Sequence, residues 1–424
     1  MTAEILILSL LFLFAINTPI AIAIGVASVL AILAQGSFPL MMVVQKMFGG
    51  ADSFHLMAVP LFMFTGVIME KGGISQRIID FANALVGWLP GGLAAVTIVS
   101  AMFFAGISGS AAADAAAVGA ILIPAMKKSG YESDFAAAVQ ASGGSIGVII
   151  PPSIPMIIFG FLTGASIGQL FAAGILPGVL IGISLIAVAT VISRKKGYAA
   201  TTSFSLSEVW RTFKRALLAL GAPIIILGGI LFGIFTATES AAVAVIYALT
   251  VGMFVYRRIM LGDLVHLFRD GAITSSIVMF IIATASVFSW IAAIESIPAR
   301  MAGTLLGMTD NPVILILLVN VVLLIAGTFV ETTAALILLV PMITAMNLPL
   351  DMVHLGVIIV TNLAIGMLTP PMGICLIVSS SISGDTIAAI TRRVLPFLAV
   401  LIIDLLIITF FSPLTMWLAR VVSK

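Results

Sequence analysis

Apolar residues run along this chain in long blocks, and the polar positions between them are few and clustered. Residues 5–34 form the first block, predicted as a spanning helix whose polarity is interrupted at Asn17-Thr18-Pro19. A loop over 35–53 carries Lys46 and Asp52, and 56–69 reads as a second pass. Over 75–88, Arg77, Asp80 and Asn83 alternate with Ile78, Ile79, Phe81 and Leu85, the pattern of an amphipathic helix lying in the membrane interface. Residues 170–192, 216–235, 241–256, 272–294 and 394–418 are ordinary passes. Two further amphipathic stretches, 203–215 and 263–270, precede the passes at 216 and 272.

Four segments depart from that pattern. Residues 91–105 and 115–126 are apolar but short of the roughly 20 residues a span needs. Between them lies Gly106-Ile107-Ser108-Gly109-Ser110-Ala111-Ala112-Ala113-Asp114, a small, polar tip. This predicts a re-entrant hairpin, since such backbone is tolerated at membrane depth only when buried in protein or lining a cavity; the alternative is a single kinked span. Residues 312–326 and 334–345 flank a second tip, Gly327-Thr328-Phe329-Val330-Glu331-Thr332-Thr333. Residues 134–162 contain Ser142-Gly143-Gly144-Ser145-Ile146-Gly147-Val148-Ile149-Ile150-Pro151-Pro152, and 352–378 contain Asn362 to Pro371 with Thr369-Pro370-Pro371. Glycines followed by two prolines break a helix, so Pro151, Pro152, Pro370 and Pro371 mark two broken helices.

These features repeat. Asp114 and Glu331 are 217 apart (331 − 114), Pro124 and Pro341 also 217 (341 − 124), and the double prolines 219 (370 − 151). The expected fold is an all-α polytopic membrane protein built from a duplication. Its parts are 1–90 and 194–311 as scaffold helices and interfacial arms, and 91–193 and 312–424 as two halves of a transport unit.

Composition agrees: 62% of residues are hydrophobic and 8% charged, with mean hydropathy +1.30, against roughly 25% charged in soluble domains. Nothing in the basic residues suggests nucleic acid. The first apolar run lacks a basic flank and a cleavage site, so it is not read as a signal peptide. Cys375, the single cysteine, reads as apolar packing. Lys71, Arg77, Lys127-Lys128, Arg194-Lys195-Lys196, Lys214-Arg215, Arg257-Arg258 and Arg392-Arg393 fall on one side, the cytoplasmic one, if the first hairpin enters from the cytoplasm and the second from outside. The repeats are then inverted, with a cytoplasmic N-terminus and an external C-terminus. Arg420 and Lys424 run against that assignment.

Inverted repeats with interrupted helices point to a secondary transporter binding its cargo near the midplane. Hard cations take carbonyl, hydroxyl and carboxylate oxygens. One expected sodium site draws on Ser108, Gly109, Ser110, Asp114, Gly143, Gly147 and Ile150. The other draws on Gly327, Thr328, Glu331, Thr332, Asn362, Gly366 and Thr369. Close helix packing is the competing role for the small residues. Asp114 and Glu331 are expensive in a membrane; they ligate the ion, carry a proton, or cap the second hairpin helix, and capping is favoured because both sit where that helix should begin. No arginine lies in the tips, so an anion would rest on helix ends, hydroxyls and bound sodium, with Ser110, Ser145, Pro151, Thr332 and Pro370 as candidate contacts. Arg300 is better explained by a loop ion pair near Glu295.

Two enzyme-like strings, Gly106-Ile107-Ser108-Gly109 and Gly143-Gly144-Ser145-Ile146-Gly147, lack a base for a serine nucleophile. His55, His266 and His354 are expected at segment ends, as interfacial residues, and no strand precedes the elbow pattern.

At Phe104-Ala105-Gly106-Ile107-Ser108-Gly109-Ser110, Ile149-Ile150-Pro151-Pro152-Ser153-Ile154, Ala173-Gly174-Ile175-Leu176-Pro177-Gly178, Gly233-Ile234-Phe235-Thr236 with Thr238-Glu239, and Thr369-Pro370-Pro371 with Gly373, the sequence resembles the large membrane subunit of tripartite ATP-independent periplasmic (TRAP) transporters. The resemblance covers essentially the whole chain. It departs at Ala237, where proline is common, and at Glu331, where aspartate is expected. It implies sodium-driven uptake of an organic acid such as a C4-dicarboxylate, sialic acid or related sugar or keto acid, across a bacterial inner membrane. It further implies a periplasmic substrate-binding protein, a separate small four-helix membrane subunit, and an elevator movement of hairpins and broken helices against a fixed frame. A stand-alone sodium- or proton-coupled carrier or antiporter is the competing expectation.

Overall fold

The computed structural model describes residues 2–16, 18–309 and 311–422; Asn17 and Lys424 of the sequence argument lie outside them. Helices account for the secondary structure of the described residues. Six are long and apolar enough to cross a membrane: Ile167–Lys196, Leu206–Leu231, Ala237–Val255, Leu261–Ile294, Pro312–Phe329 and Ile387–Phe410.

The two departures from simple passes that carry the duplication are present as helix pairs. Gly92–Ser108 and Ala111–Lys128 pack against each other around Gly109 and Ser110. Gly109 closes the first helix in the left-handed region, at φ 63°, which a residue without Cβ adopts at no steric cost. Ser110 opens the second, its hydroxyl accepting the Ala113 N–H at 3.5 Å. In the second half Pro312–Phe329 and Thr332–Ala345 meet at Val330-Glu331, and Glu331 is the cap.

Both broken helices stop where prolines remove backbone donors. Ser133–Gly144 tightens into a 3-10 turn, Ser145–Val148, passes through Pro151-Pro152 and resumes as Ile154–Thr163. Ser153 stitches the break, donating to the Val148 carbonyl at 2.5 Å and accepting the Met156 N–H at 3.3 Å. Met352–Gly366 ends before Pro370-Pro371 and resumes as Ile374–Ser383. Each double proline holds a cis peptide bond. Each resumed helix ends at a left-handed glycine, Gly164 or Gly384. A hydroxyl cap, Ser166 or Thr386, then starts the following long helix.

The halves exchange partners. Ala111–Lys128 packs on Ile374–Ser383, and Thr332–Ala345 packs on Ile154–Thr163. The open end of the first pair meets the second half's corner, where Lys127 Nζ donates to the Ser383 carbonyl at 2.9 Å and Ser133 Oγ to Asp385 Oδ2 at 2.6 Å. The open end of the second pair, at Thr344 and Ala345, borders Leu162 of the first half.

Basic residues gather at one end. Lys196 and Arg393 both bind Glu132, and Arg393 Nε reaches Asp134 at 2.8 Å. The Gly91 N–H donates to Tyr198 at 3.1 Å and the Thr201 N–H to Gly87 at 2.9 Å, tying Ile74–Val86 to the segment after Lys196. At the start of that helix Arg77 stacks 3.6 Å from the Tyr256 ring.

Several element boundaries differ from the sequence expectation. Residues 5–34 are two helices, Thr2–Ala15 and Ile20–Gln35, packed on each other. Pro19 has no N–H and disfavours helix in the residue before it, so the chain turns there. The expected loop over 35–53 contains the helix Met41–Ala51, whose Met41, Val44 and Phe48 are exposed apolar residues. The amphipathic stretches 203–215 and 263–270 are not separate elements; they continue into Leu206–Leu231 and Leu264–Ile294, because nothing between them and the apolar run stops a helix. Conversely, 394–418 is not one pass: Ile387–Phe410 ends and Pro413–Val422 begins anew at its proline. The region 295–311 holds a short helix, Ile297–Leu306, and Arg300 in it makes no ion pair with Glu295 among the described residues.

Candidate functional site

The first tip docks on the first break. The Ile154 N–H donates to the Gly109 carbonyl at 3.3 Å, and a Cβ on Gly109 would stand 2.6 Å from the Pro152 carbonyl oxygen. Behind the tip, Asp114 is wholly buried, 0% exposed. Its Oδ1 accepts the Ser108 hydroxyl, and that hydroxyl oxygen accepts the Ser110 N–H at 3.1 Å. Its Oδ2 has no hydrogen-bond partner among the described residues. Gly147 faces that oxygen so closely that a Cβ there would collide with it. Gly143 lies against Ala101 and the backbone of Ile98, and Gly144 against Ala115. The glycines thus let the 3-10 turn press on both arms of the pair. Ser108, Gly109, Ser110, Asp114, Gly147 and the Pro151-Pro152 break therefore come together. Two expected members turn elsewhere: Ile150 packs on Gly178, and Ser145 donates to the Ser142 carbonyl at 2.8 Å.

A carboxylate oxygen buried without a donor is costly. A bound cation is one arrangement that satisfies it, and the hydroxyls and carbonyls around it are oxygen donors of the hard kind.

The second group is built differently. Glu331 caps Thr332–Ala345, its Oε2 accepting the Thr333 N–H at 2.8 Å and its Oε1 the Thr333 hydroxyl at 3.1 Å. Capping was expected of both acids, and Asp114 does not fulfil it. The helix holding it begins one turn earlier, at Ala111, so Ser110 takes the cap and Asp114 is free to hold Ser108. Gly327 and Gly366 bring two backbones together: a Cβ on Gly366 would lie 2.6 Å from Gly327 Cα. The Thr332 hydroxyl contacts Met367 Sδ at 2.9 Å. Thr328 and Thr369 bond back to Leu324 and Ile365 carbonyls of their own helices. Asn362 turns to Asn320, donating to its side-chain and backbone oxygens at 3.0 Å each.

The family model described as "Tripartite ATP-independent periplasmic transporter, DctM component" matches residues 7–414. The chain belongs to this family. Within the DctM family, it is 42% identical over 407 residues to an isethionate TRAP transporter permease, DctMQ, of Oleidesulfovibrio alaskensis. That match takes in 95% of this chain and 64% of the longer relative. It is 42% identical to the sialic acid large permease SiaM of Vibrio cholerae, over 88% of each chain. It is 39% identical to the C4-dicarboxylate large permease DctM of Pseudomonas aeruginosa, over 92% of this chain and 91% of that one. In fold it is similar to the YdaH transporter of Alcanivorax borkumensis, with a TM-score of 0.56 and 14% identity over 88% of each chain. These relatives are permease subunits, so this DctM-family chain is a transporter component and not an enzyme. Ser108 accordingly serves a carboxylate, donating its hydroxyl to Asp114.

Sequence reasoning missed three buried polar residues of the permease, Gln140, Asn320 and Asp404, and misplaced a fourth, His354. Gln140 donates to the Asp114 and Ala115 carbonyls at 3.3 and 3.2 Å. Asn320 joins Asn362 to Thr409. His354 is not interfacial: it is 1% exposed, with Nδ1 2.6 Å from Thr415 Oγ1 and Nε2 3.2 Å from the Thr409 carbonyl. Asp404 is 2% exposed and accepts the Ser184 hydroxyl. The available signal was a lone polar residue inside an apolar run.

Proposed function

We propose that this permease carries an organic acid inward on a sodium gradient, and that the Ser108–Asp114 tip with Gly147 and the first break is one sodium cage. The observation that carries this reading is the unpartnered Oδ2 of a wholly buried Asp114, walled by glycine and serine. Ser108, Gly109, Ser110, Asp114, Gly143, Gly147 and Ile150 remain the first ligand set proposed. The second, around Gly327, Thr328, Glu331, Thr332, Asn362, Gly366 and Thr369, holds a further sodium. The acid binds between the tips, near Ser110, Ser145, Pro151, Thr332 and Pro370.

The class of cargo is supported by the names of relatives, which act on isethionate, sialic acid, C4-dicarboxylates and 2,3-diketo-L-gulonate. All are organic acids. A periplasmic binding protein delivers the acid, and a small membrane subunit, fused in a DctMQ relative, completes the frame. The two helix pairs enter an inner membrane as re-entrant hairpins. Residues 91–193 and 312–424 move as one elevator unit against the remainder, with the basic end cytoplasmic, the N-terminus inside and the C-terminus outside.

Proteoliposomes holding this permease with its small subunit, presented with binding protein and a panel of radiolabelled acids (succinate, N-acetylneuraminate, isethionate), test the proposal. Uptake should require external sodium and both partners. Uptake driven by a proton gradient alone overturns the coupling, and uptake without partners overturns the tripartite assignment.

A further inference from the structure

A cavity of about 70 Å³ lies beside the tip, between Gly92–Ser108 and Ala111–Lys128 on one side and Ala58–Lys71 with Leu264–Ile294 on the other. Its oxygens come from Ser108, Ser110 and Asp114 of the tip pair, and from Glu70 and Thr274 of the helices opposite. That volume has room for a small cation with a few waters.

Glu70 is unexplained by the fold. It ends an apolar helix, is exposed at the cavity rim, and its carboxylate makes no hydrogen bond or ion pair among the described residues. The neighbouring Lys71 is already spent on Asp270, at 2.7 Å. Asp114 lines the same space, with its unpartnered Oδ2 turned toward Gly147 just behind it. Two carboxylates and three hydroxyls line this one small cavity among apolar neighbours, with no cation among its lining side chains, and they are oxygen donors of the hard kind.

We infer that Glu70 is a cation-positioning residue: the cavity is a second station for sodium, held by Glu70 and Thr274, through which the ion passes between Asp114 and the face bearing Lys71. The inference rests on the sodium reading of the Asp114 cage. It adds a residue of the opposite helices, one that the ion meets only while the tip pair faces them. Movement of the tip pair away from Ala58–Lys71 separates Glu70 from Asp114 and closes that exit.

The test is binding and release of ²²Na⁺ on the full chain in lipid nanodiscs, with choline replacing sodium. Wild type should bind ²²Na⁺ in competition with unlabelled sodium. Glu70→Gln should raise the half-saturating sodium concentration about tenfold, or about 1.4 kcal/mol, and speed release after dilution. Glu70→Asp should recover most of the loss, and Thr274→Val should shift it in the same direction by less. Melting temperatures in choline should match wild type for all three variants. Absence of ²²Na⁺ binding to wild type overturns the sodium reading itself. Wild-type binding with unchanged affinity and release in Glu70→Gln and Thr274→Val overturns the Glu70 station and leaves the cage standing. A loss in Glu70→Gln that Glu70→Asp does not recover, with a lowered melting temperature in choline, assigns Glu70 to packing and overturns the inference too.

Discussion

Ser184 donates its hydroxyl to Asp404 Oδ1 across 3.0 Å, and the two residues occupy equivalent positions of the duplicated halves. Ser184 lies 17 residues after Ile167, and Asp404 lies 17 after Ile387, the first residues of the helices Ile167–Lys196 and Ile387–Phe410 (184 − 167 and 404 − 387). Equivalent positions of the two halves therefore meet side chain to side chain. The pair joins the helices Ile167–Lys196 and Ile387–Phe410, and Asp404 is a buried acid there whose Oδ2 lacks a partner among the described residues.

Asp404→Asn keeps the Oδ1 acceptor and removes the need to bury a charge. Uptake should persist, and thermal unfolding should shift upward by a few degrees. Loss of uptake with unchanged stability would show that the carboxylate takes part in transport. Asp404→Leu, which strands Ser184 as well, should cost about 1–3 kcal/mol.

Gly147→Ala places a methyl group against Asp114 Oδ2, with Ala111 Cα 3.0 Å away on the other side. The turn has to shift, at about 1–3 kcal/mol for an overpacked site. Sodium-dependent uptake should fall at least tenfold while the permease still assembles with its partner. Gly228→Ala is the control: it lies in a helix with nothing within 4 Å, so it should be neutral or slightly stabilising.

Ser108→Ala removes the donor to Asp114 Oδ1. On the proposed cage both oxygens of the acid would then depend on the ion, and the sodium concentration for half-maximal uptake should rise several-fold. Asp114→Ala should abolish sodium dependence outright. Wild-type dependence in either variant counts against the cage.

Gly366→Ala drives a methyl group to 2.6 Å from the Cα of Gly327, backbone against side chain with no flexible end to give way. The second tip should be displaced, lowering the melting temperature by several degrees and eliminating uptake. A variant with wild-type stability would mean that the two helices separate easily.

His354→Leu strands the Thr409 carbonyl in the interior and leaves the Thr415 hydroxyl only its bond to the Ser412 carbonyl. An unmet polar group costs about 1–3 kcal/mol, so unfolding in detergent should occur a few degrees lower, with His354→Gln intermediate.

The duplication was legible because it is written in residues with few physical options. Prolines at 151–152 and 370–371 stop helices wherever they sit, and small polar tips inside apolar runs have nowhere to go except into protein. The helix ends were less legible. Whether 263–270 stands alone or continues into the helix Leu264–Ile294 depends on packing, since helical propensity permits both. The roles of the two acids were illegible for a similar reason. Asp114 and Glu331 stand at one repeat offset, yet a helix that starts a turn earlier in the first half makes one a buried partner of Ser108 and the other a cap.

The sequence by itself determined a membrane chain of two related halves, each with an interrupted pair and a proline break, because hydropathy and backbone chemistry are local properties. Only the tertiary structure decided that Gly147 faces Asp114, that Ser184 meets Asp404, that His354 is buried, and that Glu70 shares a cavity with the tip. Those are contacts between elements far apart in the chain. Their distances follow from how helices cross in three dimensions, and no periodicity along a single helix contains that information.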